Sequence, residues 1–199
     1  MVHGGIGYCI QTLAPYLDRC DVRVWLPQPT SVDDDDTLAA KYSNRVTVYR
    51  GDDQLPAALT NADVVISPNR LPLGSTPAKT RITVAHGCCD WTRRNMITAQ
   101  PWATAYAAVS HNAAKQTANP ATTKVIPNGV DLNRVVPIRS RSEIRKRWGV
   151  EYGDFLIGHV GRLAPDKAPL TAARLAAAAN AARTHPVYVG NKTTRRTKT

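Results

Sequence analysis

A chain of 199 residues, 43% hydrophobic and 21% charged, is long enough to bury a core and too apolar for a disordered segment. It has no run of about 18 apolar residues, and its opening MVHGGIGYCI lacks the basic start and apolar stretch of an export signal. Membrane spanning and secretion are therefore not expected, and the expected compartment is the cytoplasm. A formal net charge of +11 suits anionic partners, whether nucleotide phosphates, an acidic membrane surface or nucleic acid, without choosing among them.

In chain order, the glycine cluster GGIG (4–7) precedes Ile6, Ile10, Leu13 and Leu17 at helical spacing, with Pro15 set to end that helix early. Short β-branched and apolar runs follow at 21–27, 45–51, 62–68, 80–87, 105–110, 123–129, 155–162 and 185–190, and each predicts a strand. Several are nearly continuous in apolar residues, as expected when helices cover both faces of a parallel sheet. Between the first two lies SVDDDDT, a solvated loop whose acidic run has no metal-binding context. The four cysteines, Cys9, Cys20, Cys88 and Cys89, fit neither a disulfide framework nor a zinc spacing and are read as reduced thiols.

The stretch IPNGVDLNRVVP (126–137) has the turn residues of a boundary, placed near residue 137. Beyond it, SRSE predicts a capping box with Ser140 as N-cap and Glu143 at the third helical position, and Gly149 as the stop after Trp148. Residues 170–183 are alanine-rich and predict a helix able to lie close to a sheet.

The chemistry concentrates in IGHVGRLAPDKAP (157–169). Ligands of open parallel sheets bind at the carboxyl ends of strands, where the next helix offers backbone N–H groups and a positive dipole end. Arg162 falls at that edge and Lys167 just before the helix. A forked guanidinium and a mobile ammonium together suit a diphosphate.

In order and spacing, VSHNAAKQTA, TKVIPNGVDLNRVVP, SEIRKRWGV and FLIGHVGRLAPDKAP resemble the middle of the retaining GT-B glycosyltransferases. GGIGYCIQTLAPYL looks like that family's glycine-rich loop and first helix, and VAHGCCDW like its strand ending in His-Gly. The resemblance implies an α/β fold of GT-B type: a Rossmann-like acceptor-side domain at 1–136 and the first part of a second, donor domain at 137–199. It implies transfer of a sugar from a nucleotide diphosphate sugar to an acceptor hydroxyl with retention, without metal or further cofactor. Gly161, Arg162 and Lys167 would hold the diphosphate and Gly4 and Gly5 would line the cleft. His86 would face the sugar or its phosphate, and an amphipathic helix would follow Val109-Ser110. Asn128, Gly129 and Asp131 would form the interdomain segment.

Three departures from the family pattern bear on activity. Only MVH precedes the glycine loop where the family has a central strand, Ala168 stands where a glycine usually follows the lysine, and the sequence stops soon after HPVYVG. The resemblance therefore implies a chain truncated at both ends and weakly active or inactive alone. Glu143 and Glu151 match the spacing of the family's paired glutamates but precede the phosphate loop, and Glu143 is better explained as a helix cap. The other reading is a non-catalytic module that binds acidic membrane or, less favoured, nucleic acid through the basic linker and the tail NKTTRRTKT.

Overall fold

The computed structural model describes residues 9–10, 12–13, 16–26, 46–68, 76–161, 163–179 and 184–190. The glycine cluster at 4–7, the SVDDDDT loop, Arg162 and the basic tail lie outside the described residues. The chain divides into two compact units, Met1–Arg134 and Val135–Thr199.

All eight apolar runs become strands: most are short, rich in β-branched residues and bounded by turn formers, while Ala105–Ala108 is alanine and tyrosine and is held by its neighbours on both sides. In the first unit these are β1 (Val22–Leu26), β2 (Val46–Arg50), β3 (Val64–Pro68), β4 (Thr80–Ala85), β5 (Ala105–Ala108) and β6 (Lys124–Val125). β1 and β2 pair in parallel, and β3-β4-β5-β6 form a second parallel sheet in sequence order. The helices between them are α1 (Leu55–Leu59), α2 (Asp90–Thr98) and α3 (His111–Ala114). Parallel neighbours need such crossovers, because a tight hairpin can join only antiparallel strands.

The predicted strand at 123–129 shrinks to two residues. The Ile126 N–H still bonds the Ala108 carbonyl at 2.8 Å, and then Pro127, which has no N–H, ends the ladder. The helix expected after Val109-Ser110 is likewise a single turn. The Ser110 hydroxyl caps it by accepting from the Ala113 N–H at 3.1 Å. The Asn-Gly turn predicts at Gly129 a backbone angle that other residues resist, and the structure differs. Gly129 is not among the positive-φ residues, and a β-carbon there would sit 3.9 Å from Thr12 Cγ2, an ordinary contact, so no special backbone angle requires glycine.

Burial in the first unit comes in three clusters. Val24, Leu26 and Val46 pack with Ile10 beneath β1 and β2. Leu59, Val65, Ala78 and Trp102 close one end of the second sheet. Ala85, Met96, Ala108, Ala113 and Ala114 join β4 and β5 to α2 and α3.

The second unit contains α4 (Arg141–Arg147), β7 (Phe155–Val160), α5 (Pro169–Ala178) and β8 (Thr184–Val189). The capping box forms as predicted. The Ser140 hydroxyl accepts from the Glu143 N–H at 3.3 Å, and the Glu143 carboxylate accepts from the Ser140 N–H at 2.7 Å, which holds that carboxyl below its ordinary pKa. Gly149 ends the helix at φ 64°, a left-handed angle that glycine adopts without strain. β7 and β8 pair in parallel, and α5 packs against both.

Coverage of both faces, expected for several of the strands, fails at β7. Phe155 is 68% and Val160 81% exposed, because this two-stranded sheet has one helix to lie against it among the described residues.

Ala168 has φ 49° and ψ 46°, the left-handed conformation, at the junction where the pattern that the sequence resembles usually has glycine. A β-carbon there costs about 1–2 kcal/mol, of which glycine's extra freedom in the unfolded chain takes back about 0.4–1. Ala168→Gly is therefore expected to stabilise the second unit by about 0.5–1 kcal/mol, read as a higher urea midpoint. An unchanged or lower midpoint would show that the strain is relieved elsewhere.

Candidate functional site

Two strand ends carry the sequence-predicted side chains, one in each unit. In the first, β4 runs out at Ala85 into His86-Gly87-Cys88-Cys89, and α2 begins at Asp90. Partial burial holds the His86 imidazole below its ordinary pKa, so it is neutral at pH 7 and carries one N–H donor and one ring-nitrogen acceptor. The loop is held tightly to the helix. A β-carbon on Gly87 would come within 2.9 Å of Thr92 Oγ1, closer than real contacts allow, so the backbone needs a residue without one. Thr92 is fully buried, and its hydroxyl also meets Cys89 Sγ at 3.5 Å, a hydrogen bond that lowers the Cys89 thiol pKa. All four cysteine thiols are free.

In the second unit, the ladder of β7 and β8 extends one bond past the strand, from the Gly161 N–H to the Val189 carbonyl at 2.9 Å. The chain then makes a 3-10 turn over Pro165–Lys167 and enters α5 through Ala168 and Pro169. This turn folds Lys167 back over the strand end. A β-carbon on Gly161 would lie 3.7 Å from Lys167 Cγ and 3.8 Å from its Cβ. Gly161 and Lys167, six positions apart in sequence, are thus side by side, with the ammonium stem exposed at the carboxyl end of β7 and the start of α5 behind it. Such an arrangement can receive an oxyanion: a cation, a close backbone approach, and a helix whose first turn carries partial positive charge.

His159 was missed by the sequence reading, in which it is one more residue of an apolar run. Its Nε2 lies 3.9 Å from the Gly161 β-carbon position, is buried, and has no hydrogen-bond partner among the described residues. Its ring leans on Tyr188 at 5.8 Å between centroids. A histidine inside an otherwise apolar strand was the available signal.

Gly4, Gly5 and Arg162 lie outside the described residues, so the structure brings together Gly161 and Lys167 within the second unit and places His86 in the first. Of the interdomain residues, Asp131 has a local task. Its Oδ1 accepts from the Asn133 N–H at 3.0 Å and opens the turn Leu132–Arg134.

These features define a class: a parallel α/β chain of Rossmann-like units, each with a strand-loop-helix edge of the kind that binds ligands in such folds. Solved structures share this fold. HepE from Anabaena in complex with UDP and glucose matches with a TM-score of 0.67 and 20% identity over 96% of this chain and 58% of that one. HepE in complex with UDP gives 0.69 at 20% identity, and HepE in complex with UDP-glucose 0.66 at 21%. This chain therefore spans less than two thirds of the HepE chain, and the likeness is one of fold. No protein-family profile matches the sequence, and no curated protein does.

Proposed function

We propose that the chain belongs to a GT-B-type glycosyltransferase, with residues 1–136 on the acceptor side and 137–199 opening the donor domain, and that it binds a nucleotide diphosphate sugar at the end of β7. The observation that carries this reading is the seating of Lys167 against Gly161 at the entrance to α5. The UDP and UDP-glucose complexes of HepE, which has the same fold, support it. In the proposed reaction the bond between sugar C1 and the β-phosphate oxygen breaks and the acceptor oxygen bonds to C1. The acceptor's proton passes to the departing phosphate, and transfer proceeds with retention. Charge grows on the phosphate as the bond breaks, and Lys167, with Arg162 five positions before it in sequence, would stabilise it. His86, neutral and partly buried, would donate or accept a hydrogen bond to the sugar or its phosphate.

The alternative, a general anion-binding module, rests on the net charge of +11. Titration calorimetry with UDP, UDP-glucose, GDP and a short DNA duplex, at low and high salt, separates the two. The donor reading expects one nucleotide base to be preferred and affinity to persist in salt. Binding that ignores the base and collapses with salt would overturn it.

A further inference from the structure

We infer that the second unit carries a docking surface for an anionic lipid bilayer, formed by α4 and the segments flanking it. The surface is independent of the donor site at the end of β7. It combines two properties that a solvated basic face does not need together.

The first is unbalanced positive charge. Arg139, Arg141, Lys146 and Arg147 are all exposed on or beside α4. Of the acids nearby, Glu143 is engaged in the capping box, and the Asp154 side chain is 6% exposed and paired with His185 Nε2 at 2.8 Å. Glu151 is the exposed acid that remains close to the patch. Arg145 serves the fold instead: its guanidinium donates to the Glu151 carbonyl and to the Asp154 carbonyl at 2.9 Å, tying α4 to the loop before β7.

The second property is apolar side chains standing in solvent among those cations. Ile138 is 96% and Tyr152 99% exposed, with Val135, Val136 and Trp148 also exposed. Two depressions, both lined by Arg145, bring cations and apolar side chains of this region together. One, of about 450 Å³, has Lys146, Glu151 and Tyr152 in its wall. The other, of about 540 Å³, has Arg139, Arg141, Ile144 and Phe155.

Phosphate backbones of nucleic acid would satisfy the arginines and leave Ile138 and Tyr152 in water. A bilayer interface takes both, with cations at the anionic headgroups and aliphatic and aromatic side chains at the acyl boundary. No helix among the described residues is long and apolar enough to cross a membrane, so the contact is peripheral.

The test is sedimentation with vesicles of phosphatidylcholine alone or with a third phosphatidylglycerol. The parent chain is expected to bind the acidic vesicles and pass over the neutral ones. Each Lys or Arg near an acidic surface is worth about fivefold, so Arg139→Gln, Arg141→Gln and Arg147→Gln together are expected to lower partitioning on the order of 100-fold. Ile138→Ser with Tyr152→Ser, both at fully exposed positions and neutral in charge, is expected to lower it about tenfold and leave binding to a DNA duplex unchanged. A parent chain that ignores acidic vesicles would overturn the inference, as would the serine variant retaining full vesicle affinity or losing vesicle and duplex binding in parallel.

Discussion

Lys167→Ala is expected to weaken UDP-glucose binding by about 10- to 100-fold, the range for losing hydrogen bonds from a charged donor. The side chain is exposed and its stem lies beside Gly161, and the thermal midpoint of each apoprotein, measured alongside, separates lost binding from lost stability. Lys167→Arg keeps the charge but exchanges a compact ammonium for a planar fork at a turn shaped around a flexible stem, and it should fall between the two. Lys124→Ala, an equal loss of charge on β6 in the other unit, serves as the control and should change nothing. Calorimetric titration with UDP-glucose reads all three. If Lys167→Ala binds as the parent does, the phosphate edge has been assigned to the wrong residue.

Met96→Ala is expected to cost the first unit about 3–4 kcal/mol, within the usual range for a buried methionine and a large share of a typical domain's stability. Met96 is 0% exposed, and the other buried members of its cluster are all alanine: Ala85, Ala108, Ala113 and Ala114. Alanines have no rotamers with which to fill a gap, so the cavity should persist instead of collapsing. The buried Thr83 hydroxyl would also lose its 3.7 Å contact to the methionine sulfur, though it keeps the Ser67 carbonyl at 3.2 Å. Met96→Leu, similar in volume, should cost less than about 1.5 kcal/mol. Urea denaturation followed by circular dichroism measures both. A midpoint for Met96→Ala within error of the parent would mean that the sheet and α2 close over the space.

Where local chemistry decides a feature, the sequence announces it. The strand runs, the Ser140–Glu143 box and the stop at Gly149 are settled by residues within a few positions of one another, and all three appear in the structure. The helix α2 had no such signature. Its buried face is Thr92, Asn95 and Met96, two of them polar, and what makes that face an inside face is β4 lying against it. Exposure was equally hidden. Val160 at 81% and Val65 at 7% are the same residue type in equally apolar runs, and the difference lies in what packs above each.

The candidate site was legible in part for the same reason. The order Gly161–Lys167 could be read, but not the turn that lays one over the other. His159 could not be separated from its strand, because a lone histidine in an apolar run reveals nothing of its surroundings until distant residues close around it.

Gly87 has a mechanical meaning beyond its shape. With no room for even a methyl group between the loop and Thr92, and with Thr92 itself sealed in the core, there is no slack between Gly87 and the first turn of α2. The loop backbone at Gly87 cannot move toward that turn without displacing Thr92. Any residue with a β-carbon at position 87 would have to push the buried Thr92, and with it the first turn of α2, so the loop keeps its seat against the helix only while that position stays bare.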